Sequence, residues 1–133
     1  MTSRVLILGV TGFVGSALAQ RLLAAGIAVD GVSRRAPPPP IRHIALDLAA
    51  MTDAAAWRAH LQGIDAVINC AGLLQDAPGE TVGSVHRDAP RALFQACEAA
   101  GVRRVIQISA IGADRAGGTD FARTKHEADL DLQ

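Results

Sequence analysis

Short apolar blocks alternate along this chain with longer segments whose apolar residues recur at helical spacing. The first block, Val5-Leu6-Ile7-Leu8, is continuously apolar, the pattern of a strand covered on both faces. On this basis strands are predicted at Arg4–Leu8, Ala28–Val32, Ile41–Leu46, Ala66–Asn69 and Arg104–Ser109. Helices are predicted at Phe13–Ala25, where Val14, Ala17, Leu18, Leu22 and Ala25 share a face, at Thr52–Leu61 and at Thr81–Ala100. A last helix starts near Thr119 or Asp120. Gly26 and Gly101 are the expected stops of the first and third helices, and Thr52 the expected N-cap of the second. Pro90 should kink or divide the third helix. Pro37-Pro38-Pro39-Pro40 continues neither a strand nor a helix and reads as a stiff, extended surface loop.

Five strands alternating with helices imply an α/β doubly wound parallel sheet with right-handed crossovers. The expected strand order is 3-2-1-4-5. The order reverses between strands one and four, which places a ligand crevice at their C-terminal ends. Residues 1–133 read as one domain. The pattern is still helical at residues 128–133, without a glycine stop, so the chain reads as ending mid-fold, ahead of a substrate-binding region.

Composition narrows the function. Half of the residues are hydrophobic, enough for a substantial core, and 13 basic residues balance 13 acidic ones. That balance gives no footprint for nucleic acid or an anionic membrane. No apolar run approaches the ~20 residues of a membrane span, and the first apolar block ends too early for a signal peptide. Cys70 and Cys97 lack metal-ligand spacing and read as buried free thiols in a reducing, cytoplasmic setting.

The chemistry starts where the first strand ends. Gly9, Gly12 and Gly15 stand at three-residue spacing between a strand and a helix. Gly9 permits a sharp turn, Gly12 lets backbone approach phosphate, and Gly15 lets the helix pack closely on the sheet. The first-turn N–H groups and the positive end of the helix dipole then face an anion. The turn thus offers Gly9, Thr11, Gly12, Phe13, Val14 and Gly15 as a cradle for a dinucleotide pyrophosphate. A tight turn without ligand is the bland alternative.

Further landmarks follow in order: Arg34 after strand two, Asp47-Leu48 after strand three, Asn69-Cys70-Ala71-Gly72 after strand four, Ser109 ending strand five, and Phe121-Ala122-Arg123-Thr124-Lys125. Together with the glycine turn they resemble the short-chain dehydrogenase/reductase superfamily over essentially the whole chain. The resemblance is closest to its extended and atypical members, the epimerase/dehydratase-like and NmrA-like proteins, and it implies a Rossmann fold that binds NAD or NADP. NAD-binding members place an acidic residue at the end of strand two to bond the ribose hydroxyls. Here Ser33, Arg34 and Arg35 follow that strand. A carboxylate would repel a 2′-phosphate, whereas a hydroxyl and a guanidinium would bind it, so NADP is favoured over NAD. Asp30 competes but falls inside the strand, and Arg34-Arg35 also reads as a solvated basic loop.

The resemblance also implies that Asp47 and Leu48 contact adenine, although an Asp that closes a strand and opens a turn is an ordinary feature. Cys70, Ala71 and Gly72 match the small residues on which the family seats the cofactor ribose. Ser109 matches the serine that polarises a substrate carbonyl, and Lys125 the lysine that holds the nicotinamide ribose. Position 121, where the family carries the acid–base tyrosine of Y-x-x-x-K, is Phe, and the chain contains no Tyr. His86 stands near a polar position of extended members and is otherwise a surface histidine of its helix. Two classes of function therefore remain open: an NADP-dependent oxidoreductase or epimerase acting on a small molecule through Ser109 and Lys125, and a non-catalytic dinucleotide-binding sensor or assembly subunit. On either reading this chain alone is expected to be inactive. The resemblance permits a homodimer through the helices at 81–100 and 119–133.

Overall fold

The computed structural model describes residues 3–71, 87–108 and 130. Among these, β1 (Arg4–Leu8), β2 (Ala28–Val32), β3 (Arg42–Ile44), β4 (Ala66–Asn69) and β5 (Arg104–Gln107) form one parallel sheet in the order β3-β2-β1-β4-β5. This is the doubly wound Rossmann arrangement, with the order reversing between β1 and β4. Central register runs Leu6 to Asp30 on one side and Leu6 to Val67 on the other.

Both faces of the sheet are covered. On one, Val5, Ile7, Val29 and Ile68 pack with Ala19, Leu18 and Leu22 of α1 (Phe13–Ala24). On the other, Leu6, Leu8, Val32 and Val67 pack with Trp57 of α2 (Ala54–Trp57) and Leu93 and Cys97 of α3 (Ala89–Ala100). In β1 and β4 the alternating sides feed two separate cores, which is why these strands are apolar at successive positions.

Several boundaries differ from the sequence pattern, each for a physical reason. Helix α1 closes at Ala25, and Gly26 is the next residue, in the left-handed region at φ +81°. β3 covers Arg42–Ile44 rather than Ile41–Leu46. It is an edge strand with β2 as its described partner, and β2 ends at Val32, opposite Ile44. The second helix is four residues of α-helix followed by a 3-10 turn at Arg58–His60. Its N-cap is Asp53, not Thr52: the Asp53 carboxylate accepts a hydrogen bond from the Ala55 N–H at 3.0 Å. Pro90 lies in the first turn of α3, directly after a π-helical turn at residues 87–88, so the regular α-helix begins where the proline removes an N–H, and residues 81–86 of the expected helix lie outside the described residues. Gly101 caps α3 at φ +74°.

A buried carboxylate held by two partly exposed arginines ties three strands together. Asp30, fully buried in the middle of β2, accepts from Arg4 Nη1 of β1 at 2.6 Å and from Arg42 Nη2 of β3 at 2.7 Å. Both carboxylate oxygens are engaged.

Candidate functional site

The C-terminal ends of β1, β2 and β4 meet around an open crevice of about 910 Å³. Gly9, Thr11 and Gly12 line one part of it, Ser33, Arg34, Arg35 and Ala36 another, and Asp47, Leu48, Cys70 and Ala71 the rest. Residues from four separate connections are thus brought to one place at the point where strand order reverses.

The glycine turn is anchored before it bends. Both the Gly9 and Val10 N–H groups donate to the Val32 carbonyl, at 2.9 and 3.3 Å. Val10 lies directly on Gly31 of β2, where an added Cβ would sit 2.4 Å from a Val10 methyl carbon. Gly9 has φ +76°, and a Cβ there would meet the Ala71 backbone at 3.0 Å. A Cβ on Gly15 would fall 2.1 Å from the Gly9 carbonyl oxygen, so Gly15 is what lets α1 press against the turn. Gly12 differs. A Cβ there would approach only the Gly9 carbonyl, at 3.3 Å, with the remaining space open. Packing accounts for Gly9 and Gly15, and room beside the backbone is the feature left at Gly12.

Gly12 is also the N-cap of α1. It supplies no capping side chain, and the first turn holds no acidic residue. The positive end of the helix is therefore left without an anionic side chain of its own. Phe13 and Val14 begin the helix with their side chains in solvent, Phe13 at 94% exposure. Neither side chain lines the crevice, so any part they take there is through the backbone.

At the far end of β2, every polar group of Ser33 is engaged. Its N–H donates to the Ile44 carbonyl at 3.4 Å. Its hydroxyl donates to the Arg35 carbonyl, and its own carbonyl lies 2.8 Å from His43 Nε2. Ser33 is a shaping residue of the loop that presents Arg34 and Arg35. Asp30 is removed from the crevice by burial and by its two arginines. Asp47 caps a 3-10 turn at Leu48–Ala50 by accepting from the Ala49 N–H at 3.1 Å, and lines the crevice while doing so.

Asn69 is fully buried at the end of β4. Its side-chain oxygen accepts from the Ala71 N–H at 3.1 Å, and its amide nitrogen donates to Gln107 of β5 at 2.8 Å. These bonds fix the path of Cys70-Ala71 along the crevice floor. Cys70 is half-buried and Cys97 buried, neither is in a disulfide, and burial pushes the Cys97 thiol up from 9.0 to about 11. Gly72, His86, Ser109, Phe121 and Lys125 lie outside the described residues. Val32, Leu46 and Ala36 line the crevice although sequence reasoning did not single them out. Gly31 was missed too, and a glycine inside an apolar strand is the signal of close backbone approach that would have found it. Among the described residues no cluster of His, Cys, Asp and Glu is arranged for a metal, and no helix is long and apolar enough to cross a membrane.

The profile of the NAD dependent epimerase/dehydratase family matches residues 5–128. The chain belongs to that family. A curated relative, dTDP-6-deoxy-L-talose 4-dehydrogenase (NAD(P)(+)) of Kitasatospora kifunensis, is 46% identical over 74 residues, which is 53% of this chain and 23% of that protein. Among solved structures, MoeE5 in complex with UDP-glucose and NAD superposes with a TM-score of 0.76 at 27% identity, over 98% of this chain and 48% of MoeE5. A short-chain dehydrogenase/reductase superfamily protein from Agrobacterium tumefaciens with bound NAD shares the fold at a TM-score of 0.84 and 22% identity, over 97% of this chain and 44% of that one. The chain thus spans about half the length of these solved relatives, and the aligned region about a quarter of the curated one.

Proposed function

We propose that this chain is the dinucleotide-binding portion of an NAD(P)-dependent oxidoreductase or epimerase acting on a nucleotide-linked sugar, and that it prefers NADP. The observation that carries the reading is the crevice itself. At one end the protein leaves the N-terminus of α1 and the space beside Gly12 unfilled. At the other, β2 runs out into Ser33-Arg34-Arg35, while the nearby acid of that strand, Asp30, is held by Arg4 and Arg42. A pyrophosphate suits the first end and a 2′-phosphate the second. The names of the relatives support the substrate class: one is a dTDP-sugar dehydrogenase and another was solved with UDP-glucose.

A bound nicotinamide would supply hydride transfer. The chain's own residues would bind and orient: Gly12 and the first turn of α1 at the pyrophosphate, Arg34 and Arg35 at the adenosine side, Asp47 and Leu48 at adenine, Cys70, Ala71 and Gly72 beneath the ribose, Lys125 at the nicotinamide ribose and Ser109 at a substrate carbonyl. We place the protein in a reducing, cytoplasmic compartment, in keeping with two cysteines that form no disulfide.

Phe121 supports a second reading. With no phenol at that position and no Tyr in the chain, the family's usual proton transfer has no carrier here. On that reading the chain binds dinucleotide without turnover, as a sensor or assembly subunit.

Calorimetric titration with NADPH and NADH tests the cofactor assignment. NADPH should bind more tightly, and Arg34→Ala should weaken it about tenfold, the loss of one charge-assisted hydrogen bond, while NADH changes less than about twofold. Equal or tighter NADH binding rejects the NADP preference, and no binding of either rejects the whole reading.

A further inference from the structure

His43 sits on β3, opposite Gly31 in the strand register, half-buried and outside the crevice lining. Its Nε2 lies 2.8 Å from the carbonyl oxygen of Ser33. A carbonyl can only accept, so Nε2 carries the proton. We propose that His43 is a positioning residue for cofactor selection: by holding the Ser33 carbonyl it sets the orientation of the peptide from which Arg34 departs. This inference rests on the reading of the crevice as a dinucleotide site.

The Ser33 carbonyl and the Arg34 N–H belong to one planar trans peptide and point to opposite sides. Fixing the carbonyl toward His43 turns the Arg34 N–H away from β3 and fixes the direction in which residue 34 leaves the sheet. The hydroxyl of Ser33 closes the other half of the device by bonding the Arg35 carbonyl. One residue, with its carbonyl tied to β3 and its side chain tied to the loop, thereby sets the path of both arginines. Arg34 and Arg35 are themselves exposed, as is Ala36, so little core packing constrains them. A loop ordered before the ligand arrives spends less binding free energy on being ordered, and the benefit falls on the part of the ligand that the loop touches. For a nicotinamide dinucleotide that part is the adenosine 2′ position, where NADP and NAD differ.

The test compares His43→Leu, which fills the space but removes the donor, with His43→Gln, which keeps an N–H donor on a side chain of similar reach. Dissociation constants for NADPH and NADH are measured on the full chain by calorimetry, with thermal melts to show that each variant is folded. His43→Leu should change the NADPH/NADH ratio by about fivefold, the scale of one net hydrogen bond, and His43→Gln should restore most of it. The expected change is in the ratio, whichever dinucleotide the parent protein prefers, so a parent that prefers NADH rejects the NADP assignment and leaves this inference standing on its own result. If His43→Leu weakens both dinucleotides equally, or changes neither, His43 is only a stitch between β2 and β3 and the inference is overturned. Failure of His43→Gln to restore the ratio overturns it as well, and a parent chain that binds neither dinucleotide overturns it together with the functional reading.

Discussion

A methyl group added at Gly12 and one added at Gly15 should have different consequences, although the two residues are three apart in one turn. At Gly15 the new carbon would stand 2.1 Å from a backbone oxygen that cannot move without unmaking the turn. Helix propensity favours Ala over Gly by about 1 kcal/mol, but overpacking of this kind costs about 1–3 kcal/mol or more, and here the clash is with backbone, so the clash wins. Gly15→Ala is expected to lower unfolding stability by about 2 kcal/mol in a denaturant titration. Gly12→Ala should cost less, about 1 kcal/mol, because Ala is the poorer N-cap and its Cβ meets the Gly9 carbonyl only at 3.3 Å. It should also weaken dinucleotide binding about tenfold, by holding the phosphates off the N–H groups of α1. If both variants lost stability equally, Gly12 would be a packing residue like its neighbour.

At the scale of the element, α2 is the place where local chemistry matters most. Four residues of α-helix and a 3-10 turn make a poor helix in isolation. What holds them is a cap at one end and a ring at the other: Asp53 accepts from the Ala55 N–H, and the fully buried Trp57 donates Nε1–H to the Met51 carbonyl at 3.1 Å. Asp53→Ala should cost about 1 kcal/mol, read as a shift of the urea midpoint with unchanged slope. Asp53→Asn should recover most of it, since the amide oxygen still caps. The same element shows where a sequence can be read and where it cannot. β1 and β4 were legible to the residue because both their faces are buried and their apolar runs have sharp ends, and the bounds of β2 match as well although Asp30 and Gly31 interrupt its apolar residues. β3 was over-extended because its length is set by where β2 stops, which its own residues do not encode. The expected cap, Thr52, gives way to Asp53 because either side chain can cap, and the choice belongs to the path of the chain from Met51. In the site, the glycines and arginines were legible from type and spacing. The roles of Ser33, His43 and Asp30 were not, because each depends on a partner 10 or more residues away or on a loop shape.

For the molecule as a whole, the core beneath α3 carries a pH-dependent part of the stability. Cys97 of α3 is packed against the sheet with Leu93 and Val67, and burial holds its proton. An unfolded chain loses that proton near 9.0, whereas the folded one keeps it to about 11. The unfolded state is thus favoured progressively as pH rises from 9 to 11, and the contribution is complete below that window. Unfolding free energies of the parent and of Cys97→Ala should converge as pH rises through this interval, with Cys97→Ala the less stable at neutral pH because it leaves a small void. A constant gap between the two from pH 8 to 11 would show that the thiol ionises freely in the folded chain.

The clamp of Arg4 and Arg42 on Asp30 divides one strand into two kinds of property. The middle of β2 is committed to the fold: its carboxylate is spent, and its neighbours are buried on both sides. Three residues after Asp30 the chain leaves the sheet, and residues 34–36 are exposed. Heritable change can therefore act on these positions separately. On the proposed reading, substitutions at residues 34–36 would retune which dinucleotide is selected with little effect on the cores, while the acid that lies nearest by sequence is withheld from that use. If the proposed dinucleotide site holds, cofactor choice is a trait able to drift or be redirected while the sheet that carries it stays the same.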